Sequence, residues 1–121
     1  MARSAQVERW FKIVCLLPLV ALVSVYAEAI AAARVLGHWP IPSVNDPKDL
    51  ATGPLHLISS VLVLAQLPLF VFVLTVLIKS YRTLVRPSAY WFWIAVFLGG
   101  YVITHLLGRS DPGNVWYWWW D

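Results

Sequence analysis

Charge is scarce in this chain: 12% of its 121 residues are Asp, Glu, Lys or Arg, against roughly one quarter in a soluble domain. With 60% hydrophobic residues and a mean hydropathy of +0.71, it carries more apolar surface than so short a chain can hide in a private core, and lipid is expected to cover the remainder. Cysteine is almost absent. The single Cys15 excludes an internal disulfide and lacks the spacing of a zinc site, so it reads as a small apolar filler. The net charge of +3 is small and dispersed, which excludes the basic face or stripe of a nucleic-acid-binding protein. There is no phosphate-cradling glycine loop with lysine, no HExxH, no GxSxG and no paired-cysteine motif, so no catalytic residue is nominated. Internal repeats and heptads are also missing, and the length leaves room for a single domain, 1–121.

What the chain does have is long uncharged runs. Leu55 to Ile78, LHLISSVLVLAQLPLFVFVLTVLI, contains no Asp, Glu, Lys or Arg over 24 residues. At about 1.5 Å per residue it crosses a bilayer core of about 30 Å as one helix. Residues 13–33 are apolar except for Ser24, Tyr26 and Glu28, and residues 88–107, entered through Tyr90, Trp91 and Trp93, are similarly apolar. The predicted fold class is therefore an all-α integral membrane protein: three transmembrane helices, at about 13–33, 55–78 and 88–107, with the middle span as organiser. A Pro-rich outer loop at 37–54 and an aromatic C-terminal interfacial segment at 108–121 complete it. The first 27 residues also resemble a signal peptide cleavable after Ala27; an uncleaved first span is the expectation. Pro18, in the first turns of that span, marks a place for a kink.

The connections carry their own signals. Residues 37–54 hold four Pro and two Gly, and Trp39, Ile41, Val44 and Leu50 among them predict a compact surface loop. Asp46-Pro47 reads as a helix cap followed by proline at the first helical position, which predicts a one-turn helix ending near Gly53; Pro54 opens the middle span in the same way. Asp111-Pro112 repeats the pattern ahead of a tail in which Trp116, Tyr117, Trp118, Trp119 and Trp120 follow one another. If helical, that tail pairs Val115 with Trp119 and Trp116 with Trp120, and it is expected to lie flat at the interface, where Trp and Tyr anchor. Trp39 and the Trp116–Trp120 cluster are also candidates for docking a partner, because Trp and Tyr dominate interface hot spots.

Charge sets an orientation. Arg3, Arg9, Lys12, Lys79, Arg82 and Arg86 lie on the side shared by the N-terminus and the second connection. The other side holds Arg34, Lys48 and Arg109 with Glu28, Asp46, Asp49, Asp111 and Asp121. Short loops rich in Lys and Arg stay cytoplasmic, so the expected localisation is integral membrane, N-terminus cytoplasmic and C-terminus on the outer, extracytoplasmic side.

Within the spans, polar residues are selective markers. On the middle span His56, Ser59, Ser60 and Gln66 occupy roughly one third of the helix circumference, which predicts an inward face packed on the Glu28 face of the first span and the His105 face of the third. Ser24, Ala27, Glu28, Ala31 and His38 share a face of the first span, whose small residues invite close helix approach, as does Gly99-Gly100 in the third. A carboxylate at mid-helix costs about 2.5–3.5 kcal/mol on insertion scales, so Glu28, closer to the outer end, is expected to seek a partner. Glu28, His56 and His105 form a candidate cofactor-binding group, rimmed by Arg34 and Arg109. It fits three uses: axial ligation of haem or (bacterio)chlorophyll, a His/carboxylate metal site, or a proton relay toward a quinone. The plainer alternative is that the histidines sit at the headgroup boundary and Glu28 pairs with an imidazole or basic neighbour. No motif spacing specifies a cofactor, and lipid is the one ligand composition requires. The expected function is a small accessory subunit of a larger integral-membrane complex, of a photosynthetic or respiratory kind, that stabilises or spaces neighbouring subunits. The alternative is a haem- or pigment-binding electron-transfer protein using His56 and His105.

Overall fold

A computed structural model of the chain describes residues 2–80 and 87–121; Arg82 and Arg86, which contribute to the orientation expected from charge, lie outside the described residues. The elements are helical throughout the described residues: α1 (Ala2–Leu36), α2 (Gly53–Leu64), α3 (Gln66–Ser80), α4 (Pro87–Ser110), a 3-10 turn at Pro112–Asn114 and α5 (Val115–Trp120). Three stretches are long and apolar enough to cross a membrane, Glu8–Leu36, Gly53–Thr75 and Tyr90–Ser110, with mean hydropathies of 2.3, 2.5 and 1.6.

α1 is longer than the apolar run alone implies. Its polar first turns remain helical, and it stops where Gly37, at φ 74°, takes the left-handed conformation and donates its N–H to the Ala33 carbonyl at 3.0 Å; glycine accepts that conformation without a Cβ clash. The helix runs through Pro18 without interruption. Pro18 is instead buried, and a Cβ built on Gly100 would stand 3.1 Å from its Cβ. Gly100 is thus the point of closest approach between α1 and α4, while Gly99 has open space around it.

The middle span, expected as one helix, is two. α2 and α3 meet at Ala65, whose φ −65° and ψ −17° remain right-handed. Pro68 explains the interruption: it has no N–H to offer the Leu64 carbonyl, and its ring crowds that same group. The backbone bonds on either side persist, Ala65 N–H to Val61 O at 2.9 Å and Leu69 N–H to Ala65 O at 3.1 Å.

The organising element is α1 and not the middle span. Phe11 meets Tyr90 with ring centroids 5.4 Å apart, Pro18 meets Gly100, and Leu107 packs beside Leu22 and Val25, so α1 and α4 run parallel. α2–α3 runs against them, with His56 beside Glu28 and Val73 beside Phe11, Val14 and Cys15. α1 contributes to both core clusters. At the end near its start, Phe11, Val14 and Cys15 pack with Val73, Ile94 and Phe97; at the other, Leu22, Val25, Ala29 and Ala32 pack with Val115, Trp116, Trp118 and Trp119 of α5. The tight face of α1 is accordingly Ala21, Val25, Ala29 and Ala32, all fully buried, whereas Ala27, assigned to it from the sequence, is exposed.

The loop and tail close one end of the bundle. Asp46 accepts the Lys48 N–H on its carboxylate at 2.9 Å and the Asp49 N–H on its carbonyl at 3.1 Å, which makes a turn in place of the predicted one-turn helix. The tail reverses through Asp111, Gly113 and Asn114, all with positive φ. Asp111 does not cap the turn it precedes; its carboxylate accepts the backbone N–H groups of Trp116 at 2.7 Å and Tyr117 at 3.0 Å and so starts α5. Trp39 Nε1 donates to Gly113 O at 2.8 Å, Trp118 Nε1 to Asn45 O at 2.5 Å, and Lys48 Nζ to Asp121 O at 3.3 Å, while the Asp121 carboxylate accepts the Ser43 N–H. Loop and tail therefore pack together, as their shared side implies.

Candidate functional site: a buried carboxylate cluster

Glu28 is 1% exposed, about two turns before the end of α1. Two elements supply it with three donors. His56 Nδ1, from the first turn of α2, lies 2.9 Å from Oε1; Ser59 Oγ, one turn later, donates to Oε2 at 2.6 Å; and Trp119 Nε1, from α5, donates to Oε2 at 3.1 Å. The indole N–H is also within 2.9 Å of Ser59 Oγ, and the His56 and Trp119 rings are tilted at 52° with centroids 5.4 Å apart. A buried carboxylate is tolerated only where donors replace the lost water; here both oxygens have one.

The local sequence accounts for the geometry. His56 and Ser59 are three residues apart and so stand on one helical face, and α2 begins early enough to present them because Thr52 O accepts the N–H groups of Leu55 and His56 at 2.9 and 3.1 Å. The same face continues to the half-buried Ser60 and the buried Gln66, so the polar stripe turns inward, reaching Glu28 through His56 and Ser59 but not His105, which is exposed. Ser60 Oγ closes on its own helix, donating to His56 O at 2.7 Å. Gln66 is buried at the α2–α3 break, and its Nε2 has no hydrogen-bond partner among the described residues.

Other expectations fare differently. His105 is exposed, five residues beyond Gly100 and hence about 140° around α4 from the face on α1. It does not join Glu28 and His56, and the two imidazoles expected to share a cofactor are not brought together. His38 is exposed too, its Nδ1 2.8 Å from Trp39 O. Among the described residues no group of three or more His, Cys, Asp and Glu is placed to hold a metal ion. In the aromatic tail Trp116, Trp118 and Trp119 are buried inside the chain, with Trp118 at 0% and Trp119 at 3% exposure, so their rings pack on α1 and α2 in place of facing outward. Trp39, Tyr117 and Trp120 are the exposed members of the expected docking set. The ring pairs formed are Trp116–Trp119 and Trp119–Trp120, with centroids 5.9 and 5.0 Å apart, and not the expected Trp116–Trp120.

Sequence reasoning placed Trp119 among docking residues and missed its bond to Glu28. The signal for it was slight: a buried carboxylate needing donors, and a donor-bearing side chain on a tail at the same end. Chemically, the closed cluster is a clamp that joins α1, α2 and α5 through one carboxylate. The chain matches no protein-family model, no curated protein and no solved structure.

Proposed function

We propose that the chain is an integral-membrane protein with its N-terminus cytoplasmic, and that it serves as a small accessory subunit stabilising or spacing its neighbours in a larger integral-membrane complex. The observation that carries this reading is the closure of the Glu28 cluster. Glu28, the buried carboxylate of the spans among the described residues, is consumed by His56, Ser59 and Trp119 in joining three elements, which leaves the outer surfaces of the bundle to do the protein's work. Those surfaces are apolar: Leu57, Val61, Leu64 and Leu67 on the middle span and Phe92, Val102 and Leu106 on α4 are exposed. Exposed Trp39, Tyr117 and Trp120 add aromatic contact area at the end closed by the loop and tail.

Mild solubilisation of the native membrane, followed by sizing of this chain, tests the reading. Co-migration with a larger assembly is expected, and migration as an isolated monomer would overturn it. The orientation rests on the Lys/Arg bias and has a separate test. With a membrane-impermeant thiol reagent on intact cells, Val44→Cys should label and Ala5→Cys should not; both positions are exposed, and the native Cys15 is buried. The reverse pattern would invert the topology.

A further inference from the structure

An open cavity of about 430 Å³ lies on the flank of α1 beside the end of α4, away from the Glu28 cluster, lined by Leu22, Val23, Tyr26, Ala27, Ile30, Leu107 and Pro112. We propose that it holds one acyl chain of an anionic phospholipid whose phosphate rests on Arg34. Three observations lead there. The lining is apolar along its length and runs over about 12 Å of α1, from Leu22 to Ile30, about the depth of one leaflet's hydrocarbon. Val23, Ala27, Ile30 and Arg34 fall at i, i+4, i+7 and i+11, one face of the helix, so Arg34 stands one turn beyond the groove on the same side. Helical side chains also lean toward the N-terminus, which for Arg34 is the direction of Ile30 and the groove. Finally, Arg34 is exposed, and no carboxylate among the described residues pairs with it. The nearest acid in the lining sequence, Asp111 beside Pro112, has both oxygens engaged by the N–H groups of Trp116 and Tyr117.

The division of labour follows from the solvent. Lipid tails are as apolar as the groove, so an acyl chain gains shape and dispersion contacts there but no hydrophobic drive over bulk lipid. Selectivity must come from the headgroup: a guanidinium binds the phosphate oxygens of either lipid by paired, charge-assisted hydrogen bonds, and in phosphatidylcholine the quaternary ammonium offsets that attraction whereas in phosphatidylglycerol nothing does. A single basic residue at a membrane surface is worth about fivefold in affinity for an anionic lipid.

Native mass spectrometry of the detergent-solubilised chain, titrated with phosphatidylglycerol or phosphatidylcholine, tests this. The expected result is about fivefold tighter binding of phosphatidylglycerol, equalised in Arg34→Gln and largely kept in Arg34→Lys, with both lipids weakened in Ala27→Trp, which fills the groove from an exposed position. Unchanged thermal unfolding of these variants, all at exposed sites, shows that the fold is intact. Equal binding of the two lipids by the native chain, a preference that survives Arg34→Gln, or lipid binding untouched by Ala27→Trp would each overturn it. So would a dimer that Ala27→Trp dissociates, since a second copy would then occupy the groove.

Discussion

A carboxylate held by an imidazole, a hydroxyl and an indole makes Glu28 the residue on which local stability should depend most. Removing the indole N–H alone, in Trp119→Phe, keeps an aromatic ring in place and deletes one donor to a carboxylate; about 1.5–3 kcal/mol of stability should be lost, read as a lower thermal midpoint in detergent. Glu28→Leu strands three donors at once and should cost more, about 3–5 kcal/mol. The double variant should be less damaged than the sum, because both changes act on one network; strict additivity would show that the bond from Trp119 to Glu28 contributes nothing. The Glu28–His56 half of the cluster was legible in the sequence, because helical periodicity puts His56 and Ser59 on one face and depth puts them level with Glu28. Trp119 was not legible in that role, since 91 residues separate it from Glu28 and only the reversal at Asp111, Gly113 and Asn114 brings it home. His105 was misjudged from depth alone: it is near the expected level but on the wrong side of α4.

Among the elements, the α2–α3 interruption is the feature that a hydropathy profile conceals. Leu55–Ile78 is uniformly apolar and reads as one crossing, yet a single missing N–H at Pro68 divides it. Pro68→Ala should join the two helices, and slower amide hydrogen exchange between residues 65 and 69 would register the change; unchanged exchange would mean that packing on α1, and not the proline, imposes the break. At the α1–α4 crossing, Gly100→Leu would drive a side chain into Pro18 and Leu19, which already stand 3.1 and 3.3 Å from a bare Cβ. A loss of about 1–3 kcal/mol is expected from overpacking there, and little change from Gly99→Leu, where nothing lies within 4 Å; thermal unfolding of the pair separates the two sites. The existence of the three long apolar helices could be read from composition because uncharged runs of that length have few other uses. The apolar contacts between them were less legible, since apolar faces differ little from one another, and of the pair Gly99-Gly100 expected at a close approach only Gly100 meets α1.

For the molecule as a whole, the tail is part of the fold and not an appendage to it. α5 supplies Val115, Trp116, Trp118 and Trp119 to the core cluster with Leu22, Val25, Ala29 and Ala32. Deleting residues 111–121 should uncover Glu28 and sharply reduce resistance to heat and protease, whereas Trp120→Ala, at a position 65% exposed, should do neither. This arrangement also has a consequence in time. Glu28 emerges from the ribosome 28 residues ahead of His56 and 91 ahead of Trp119, an interval on the order of ten seconds at about 5–20 residues per second. Throughout it, α1 carries an incompletely partnered acid, so a nascent chain that has not yet made α5 differs chemically from one that has. The satisfaction of Glu28 is thereby tied to the making of α5, because the carboxylate has its full set of donors only once Trp119 is in place.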